Sequence, residues 1–150
     1  MFSCVTFSPS PRAKLERHRV LVRLELLEDL PIIVWGERVP LQQVFLNLVM
    51  NAVEAMSSLA YRKPLLSVKT QISELRNALI TVTDCGTGID RKDIDRIFDA
   101  FFTTKAEGMG MGLSICRSIV EGHGGRLWAT PSVTQGSVFH VELPIGGRAA

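Results

Sequence analysis

Two periodicities run through the chain. Over residues 20–27, Val20, Val22, Leu24 and Leu26 alternate with Leu21, Arg23, Glu25 and Leu27. One face is uniformly apolar, which predicts a strand. A turn at 28–31 and a short apolar strand at 32–35 follow, the latter ended by Gly36. The longest helical signal covers 41–61. There Leu41, Phe45, Leu48, Ala52, Ala55 and Leu59 form one stripe at helical spacing. Leu46, Val49, Met50, Val53 and Met56 widen the apolar surface until the predicted helix is buried on most sides. Only a narrow polar line interrupts it: Asn47, Asn51, Glu54 and Ser58, at steps of four, three and four residues, which stack on one side.

Residues 65–72 and 78–84 read as two strands of a hairpin joined by the polar turn 73–77. Residues 90–98 suggest a short helix, with Asp90 as N-cap and Asp93 reaching back to it. A glycine-rich loop covers 101–111. A helix follows at 113–121, with Leu113, Cys116, Ile119 and Val120 inward, and Gly122, Gly124 and Gly125 stop it. A final strand pair is expected at 126–130 and 137–143, and a short helical turn at 13–19. The sum is an α+β chain: a two-layer α/β sandwich, with a mixed sheet of about five strands covered by three helices. Residues 1–12 are expected as a flexible leader, 13–146 as one domain and 147–150 as a tail.

Composition narrows the function classes. The chain has 150 residues, enough for one domain with a real core, and 46% of them are hydrophobic. Seventeen basic and fifteen acidic residues leave a net charge of +2, so no large field draws in nucleic acid or an anionic membrane. No apolar run reaches the roughly 20 residues that span a bilayer. The three cysteines, Cys4, Cys85 and Cys116, are scattered and form no C-x-x-C pair, which argues against structural zinc and suits a reducing cytoplasm.

Three stretches carry chemistry. The first is the polar line on the buried helix. Its asparagine amides either pair with nearby backbone, since an unpaired buried amide costs about 1–3 kcal/mol, or face a cleft and offer carbonyl oxygens to a hard cation such as Mg²⁺. The second is T83-D84-C85-G86-T87-G88 at a strand end. It is either a plain Asp-Gly turn or a carboxylate able to accept a hydrogen bond from an adenine amino group, with glycines that leave room for a ligand. The third is F98-D-A-F101-F102-T103-T104-K105 followed by G108-M-G110-M-G112-L113. It is either a flexible surface loop or a phosphate site, because glycine backbone and a helix N-terminus both suit anions. It is neither a Walker A loop nor a dinucleotide fingerprint.

Taken together, in this order and spacing, the three stretches resemble the Bergerat ATP-binding fold, and within it the catalytic and ATP-binding domain of sensor histidine kinases. The resemblance runs from about residue 19 to 144. It includes an N-box (Q43-V-F-L-N47-L-V-M-N51-A-V-E-A-M), a G1 box (D84-x-G86-x-G88), an F-box (F98-D-A-F-F102-T-T-K105) and a G2 box (G108-x-G110-x-G112-L). The short F-F-T-T-K to G-M-G-M-G-L-S-I-C stretch resembles the short-lid, nitrogen- and oxygen-sensing branch.

The resemblance implies ATP and Mg²⁺ as cofactors. Asn51 would coordinate the metal, assisted by Asn47. Asp84 would bind the adenine amino group, with Gly86 and Gly88 shaping its pocket. Asn47 and Lys105 would be the catalytic residues, Lys105 approaching the terminal phosphates. Gly110, Gly112 and Leu113 would supply backbone contacts to the phosphates, and Thr104 and Gly108 would also belong to the ATP site. The hydrolysing branches place a glutamate where this chain has Asn47, so transfer to a side chain is expected rather than hydrolysis.

The implied partners are a histidine-bearing dimerisation module and a response regulator, in the cytoplasm. His18, His123 and His140 lack the acceptor pattern, a helical His followed by an acidic residue and then Pro, so that module is expected on other residues or another chain. Glu37 stands where the family often has Asp, with little effect expected. Two alternatives remain: an ATP- and partner-binding module without autonomous activity, and a serine kinase of the anti-sigma type on the same fold.

Overall fold

The longest helix of the fold buries one apolar face and leaves the other toward solvent. In the computed structural model, which describes residues 3–6, 21–25, 33–56, 65–99, 112–132 and 135–145, that helix is α1, Arg38–Met56. It begins three residues before the expected start because Pro40 lies in its first turn, where a missing N–H costs nothing. The Glu37 carbonyl accepts from the Leu41 N–H at 3.2 Å. Leu41, Val44, Leu48, Val49, Ala52, Val53 and Met56 are buried, at the spacing of an inward helix face. The expected residues 57–61 of this helix lie outside the described ones.

The main sheet has five strands. They are β2 (Leu21–Glu25), β4 (Leu65–Ile72), β5 (Asn77–Thr83), β6 (Arg126–Pro131) and β7 (Ser137–Pro144). Their order is β2-β4-β5-β7-β6, with β2 parallel to β4 and every other pair antiparallel. This is the expected mixed sheet and two-layer sandwich. Alternation does the sorting. Leu66 and Val68 of β4, Ala78, Ile80 and Val82 of β5, and Phe139, Val141 and Leu143 of β7 are buried in one cluster with α1, and Thr70 of β4 is buried as well. The second helix, α2 (Gly112–Gly122), adds Cys116 and Val120 to that cluster.

The outer face of the sheet has its own packing. The β6–β7 register sets Arg126 opposite Glu142 and Trp128 opposite His140. The Trp128 and His140 rings stack 4.9 Å apart at 5°, and the Arg126 guanidinium lies 4.5 Å from the Trp128 centroid. Arg126 also pairs with the Glu142 carboxylate at 3.6 Å. His140 Nε2 lies 2.9 Å from the Thr130 hydroxyl, and its partial burial pulls the imidazole pKa down.

Two expectations are corrected. The strand β3 (Ile33–Gly36) does not join the main sheet. It pairs antiparallel with β1 (Ser3–Thr6), Ser3 opposite Gly36, so the stretch expected as a flexible leader contains a strand. Residues 90–98 are a run of turns, not the third helix. Their hydrogen bonds are mostly three residues apart (Asp93 N–H to Asp90 O, Arg96 N–H to Asp93 O), with one of helical spacing from Ile97 to Asp93. A segment this short, holding three aspartates that compete for the backbone, cannot sustain helical propagation. It is anchored instead by buried Ile97 and Phe98. The possible turn at 13–19 lies outside the described residues.

The end of α2 is as expected and more specific. The Gly125 N–H donates to Val120 O and the Gly124 N–H to Glu121 O, both at 3.0 Å, with Gly124 at φ +78°. This is a Schellman cap. Gly125 then lies against the β7 backbone, where a Cβ would collide with the Glu142 carbonyl oxygen, whereas a Cβ on Gly122 meets nothing within 4 Å. Gly125→Ala is therefore expected to destabilise the protein by about 1–3 kcal/mol, and Gly122→Ala to stabilise it by up to about 1 kcal/mol. Urea unfolding of the two variants checks the contrast. Equal effects would remove the close approach as its cause.

Candidate nucleotide site

The sharpest chemical feature of the fold is a buried carboxylate where β5 ends. Asp84 is 2% exposed. Its Oδ1 accepts from the Gly86 N–H at 2.8 Å and the Ser137 N–H at 3.3 Å. Its Oδ2 accepts from the Ser137 hydroxyl at 2.9 Å, and its own N–H donates to Ser137 O at 3.0 Å. An ionised carboxylate has about four acceptor positions. Three are filled by described residues, so one can still receive a donor from a ligand.

Glycines hold this corner closed. A Cβ on Gly86 would sit 2.5 Å from the Ala55 carbonyl oxygen of α1. Gly136, at φ +104°, leaves no room for a side chain beside the Asp84 carbonyl, and Gly88, at φ +82°, faces the Gly136 carbonyl. The Asp84 loop is thus wedged between the end of α1 and the turn before β7. Ser137 and Gly136 were not among the residues singled out from the sequence. The signal was the pair Gly136-Ser137 at the start of the last strand, which acquires meaning only once β7 lies beside β5.

The polar line lands on the same side. Asn51 is half-buried, one turn before Ala55, and Glu54 is exposed. Asn47 is fixed on both ends of its amide: its Oδ1 accepts from Gln43 Nε2 at 3.0 Å and its Nδ2 donates to Cys116 Sγ at 3.5 Å. Cys116 lies one turn into α2, so the contact ties Asn47 to the helix that Gly112 opens. Gly112 is exposed, and Leu113 packs against the core. Burial pushes the Cys116 thiol pKa up, partly offset by the Asn47 amide. Cys85 packs away from the corner, its Sγ 3.5 Å from Met56 Sδ and 3.4 Å from the Leu65 N.

The structure sets the Asp84–Gly88 loop against Ala55 near the end of α1, the helix that carries Asn47 and Asn51, and sets Asn47 against Cys116 of α2, the helix that begins with Gly112 and Leu113. Thr104, Lys105, Gly108 and Gly110 lie outside the described residues. No group of three His, Cys, Asp or Glu side chains able to hold a metal occurs among the described residues. The oxygen donors at hand are asparagine amides, which suit a hard cation that keeps water and phosphate as most of its shell. No described helix is long and apolar enough to cross a membrane.

Two-layer architecture, a helix with paired asparagines, and a strand-end aspartate followed by glycines define a class. The chain belongs to the histidine kinase-, DNA gyrase B- and HSP90-like ATPase family, which it matches over residues 36–147. Within that family its relatives are sensor histidine kinases. It is 40% identical over 132 residues to the sensor protein TdiS of Thauera aromatica, covering 87% of this chain and 24% of that protein. It is 43% identical over 112 residues to the sensor protein FixL of Bradyrhizobium diazoefficiens, covering 75% and 22%. The chain thus spans about a quarter of the length of these relatives. Among solved structures, the catalytic domain of histidine kinase ThkA superposes with a TM-score of 0.75 at 30% identity, covering 89% of this chain and 85% of that one. ThkA has also been solved in complex with the response regulator TrrA, where 31% identity and a TM-score of 0.72 cover 89% of this chain and 36% of ThkA.

The geometry at Asp84 makes one stability prediction. Ser137→Ala removes the only hydroxyl that the described residues offer Oδ2, in a dry corner. It is expected to lower the unfolding free energy by about 1–3 kcal/mol, measured by urea denaturation. Unchanged stability would mean that Oδ2 finds another donor.

Proposed function

We propose that this chain is the ATP-binding catalytic part of a two-component sensor kinase, which transfers the γ-phosphoryl group of Mg²⁺-ATP to a histidine on a separate dimerisation module. The observation that carries the reading is the buried Asp84 carboxylate, held rigid by Ser137 and Gly86 with acceptor capacity left over. A fixed acceptor in a dry pocket selects a base with a donor at that point, as adenine has in its amino group. Gly86 and Gly88 give the base a floor without side chains.

Asn51, one helical turn from the Asp84 loop, is the proposed Mg²⁺ ligand, with Asn47 in support. The bound cation neutralises phosphate charge. Gly112, Leu113 and the start of α2 offer backbone donors to the phosphates. Thr104, Lys105, Gly108 and Gly110 take their proposed phosphate roles from the family resemblance alone. Phosphoryl transfer asks the protein for positioning and charge neutralisation more than for covalent chemistry. Asn47, an amide held by Gln43 and Cys116, is no base for water, which favours transfer over hydrolysis.

The acceptor is proposed to lie outside these residues. His123 has both ring nitrogens within hydrogen-bonding distance of backbone groups, and His140 is stacked on Trp128. The ThkA–TrrA complex supports a response regulator as the downstream partner, and the reaction is placed in the cytoplasm.

Isothermal titration is expected to show Mg²⁺-dependent ATP binding in the micromolar range, with GTP much weaker. Asp84→Asn loses a charge-assisted hydrogen bond of about 1.5–3 kcal/mol, about 10–150-fold in affinity, for ATP and adenosine alike. Asn51→Ala weakens ATP in Mg²⁺ and leaves adenosine nearly unchanged. A loss of adenosine binding equal to that of ATP would make Asn51 a structural residue and move the metal site elsewhere.

Transfer is tested by incubating the chain with labelled ATP and a purified histidine hairpin from a sensor kinase. The expected product is acid-labile phosphate on the hairpin. Acid-stable label would point to serine, and binding without any label would leave a nucleotide- and partner-binding module.

A further inference from the structure

His123 joins three elements at the end of the domain away from Asp84. Its Nδ1 lies 2.7 Å from the Ile119 carbonyl of α2, and its Nε2 lies 3.0 Å from the Glu37 backbone N at the head of α1. The two partners settle the tautomer. A carbonyl only accepts, so Nδ1 carries the proton; a backbone N–H only donates, so Nε2 is bare. The ring also occupies the space over Gly36 at the end of β3, where a Cβ would lie 2.5 Å from its Cδ2 and 2.9 Å from its Nε2. Glycine at 36 is what lets the imidazole reach the head of α1.

The two helices touch again near Asn47 and Cys116. The pair is therefore fastened at two places, ten residues apart on α1 and seven apart on α2, in opposite chain directions. Asn51 lies one turn beyond the inner fastening, and Gly112 one turn beyond it on α2. The outer fastening at His123 joins the head of α1 to the end of α2.

We propose that His123 is a proton-sensitive positioning residue: as a neutral imidazole it clasps the head of α1 to the last turn of α2, and protonation at Nε2 opens the clasp and weakens nucleotide binding. The second half of this statement rests on the nucleotide-binding reading above. An imidazolium has only donors, so Nε2–H would point at the Glu37 N–H, and the positive end of α1 adds to the repulsion. The Nδ1–H bond to Ile119 survives in both states. The charged groups on the elements around the ring are Glu37 and Arg38 at the head of α1, Arg117 and Glu121 on α2, and Glu142 with Arg126 on β7 and β6. Arg117 pairs with Glu121 at 3.3 Å and Arg126 with Glu142 at 3.6 Å. The clasp needs an unprotonated Nε2 to accept from the Glu37 N–H, and a proton there removes the acceptor. A ligand that binds the clasped form then binds the protonated form more weakly.

The test uses the full chain. Long-range ¹H–¹⁵N spectra of the imidazoles are expected to show the Nδ1–H tautomer of His123 at about pH 8, and the Glu37 amide to shift with the midpoint of the His123 ring on acidification to about pH 6, the span in which histidines titrate. In parallel, Mg²⁺-ATP affinity is measured across this range for the native chain and for His123→Gln. The glutamine side chain can accept from the Glu37 N–H but carries no titrating group. The native chain is expected to lose about two- to tenfold more affinity than the variant, the worth of one hydrogen bond. Titration of ATP itself and of His140 is common to both proteins and cancels in the comparison. Parallel affinity curves, an Nε2–H tautomer, or a Glu37 amide that ignores the ring would each overturn the proposal. If His123→Gln does not fold, the spectra of the native chain decide alone. Absence of ATP binding at every pH would instead strike the nucleotide reading, and the spectra would still judge the clasp.

Discussion

A carboxylate buried at the end of a strand has to be met by donors, and in this protein that demand organises the site end of the fold. Asp84 draws on Ser137 twice through donors and once through the carbonyl it donates to, which fixes how β7 starts beside the end of β5. It draws on the Gly86 N–H, in a loop so close to α1 that a Cβ on Gly86 would collide with the Ala55 carbonyl. Each contact is short because the partner is glycine or serine. The cost of withdrawing a charge from water is offset here by charge-assisted hydrogen bonds. Among the described residues these bonds fill three of the carboxylate's acceptor positions.

The helix pair is organised differently. Its packing is mostly apolar, through the cluster that holds Leu41, Val44, Leu48, Cys116 and Val120. Polar contacts supply the register: Asn47 to Cys116 in the middle, and His123 to the head of α1 at the outer end. Apolar burial thus supplies most of the adhesion, and a few directional bonds settle the relative placement of the residues proposed to hold metal and phosphate.

Much of this was legible in the sequence, for local reasons. Strand alternation in 65–72 and 137–143 and the multi-sided apolar helix around Leu48 identified the layers, because burial imposes those periods directly. The residues Asp84, Gly86 and Gly88 stood out because they interrupt a strand abruptly. What stayed hidden depended on pairing between distant segments. Ser137 looks like any strand serine until β7 is placed next to Asp84. Gly36 looks like a simple strand stop until the His123 ring is placed over it. The strand Ser3–Thr6 is four residues of mixed character whose pairing with Ile33–Gly36 no periodicity announces. The missing helix at 90–98 shows the converse, since a good capping pattern there is outweighed by shortness and aspartate content.

The parallel pairing of β2 to β4 has a consequence for association. Every other neighbour in the main sheet is antiparallel, and β2 is held to it by β4 alone. Were β2 to detach, β4 would present eight residues of backbone, alternately apolar on the inner face, as an open border. Such a border recruits whatever strand is nearest, including the β2 of another molecule. Exchange of that strand between copies would preserve the helix pair and the Asp84 corner, since neither includes β2. Exchange of β2, one of the two edge strands of the main sheet, would therefore join two molecules and leave the Asp84 corner of each unchanged.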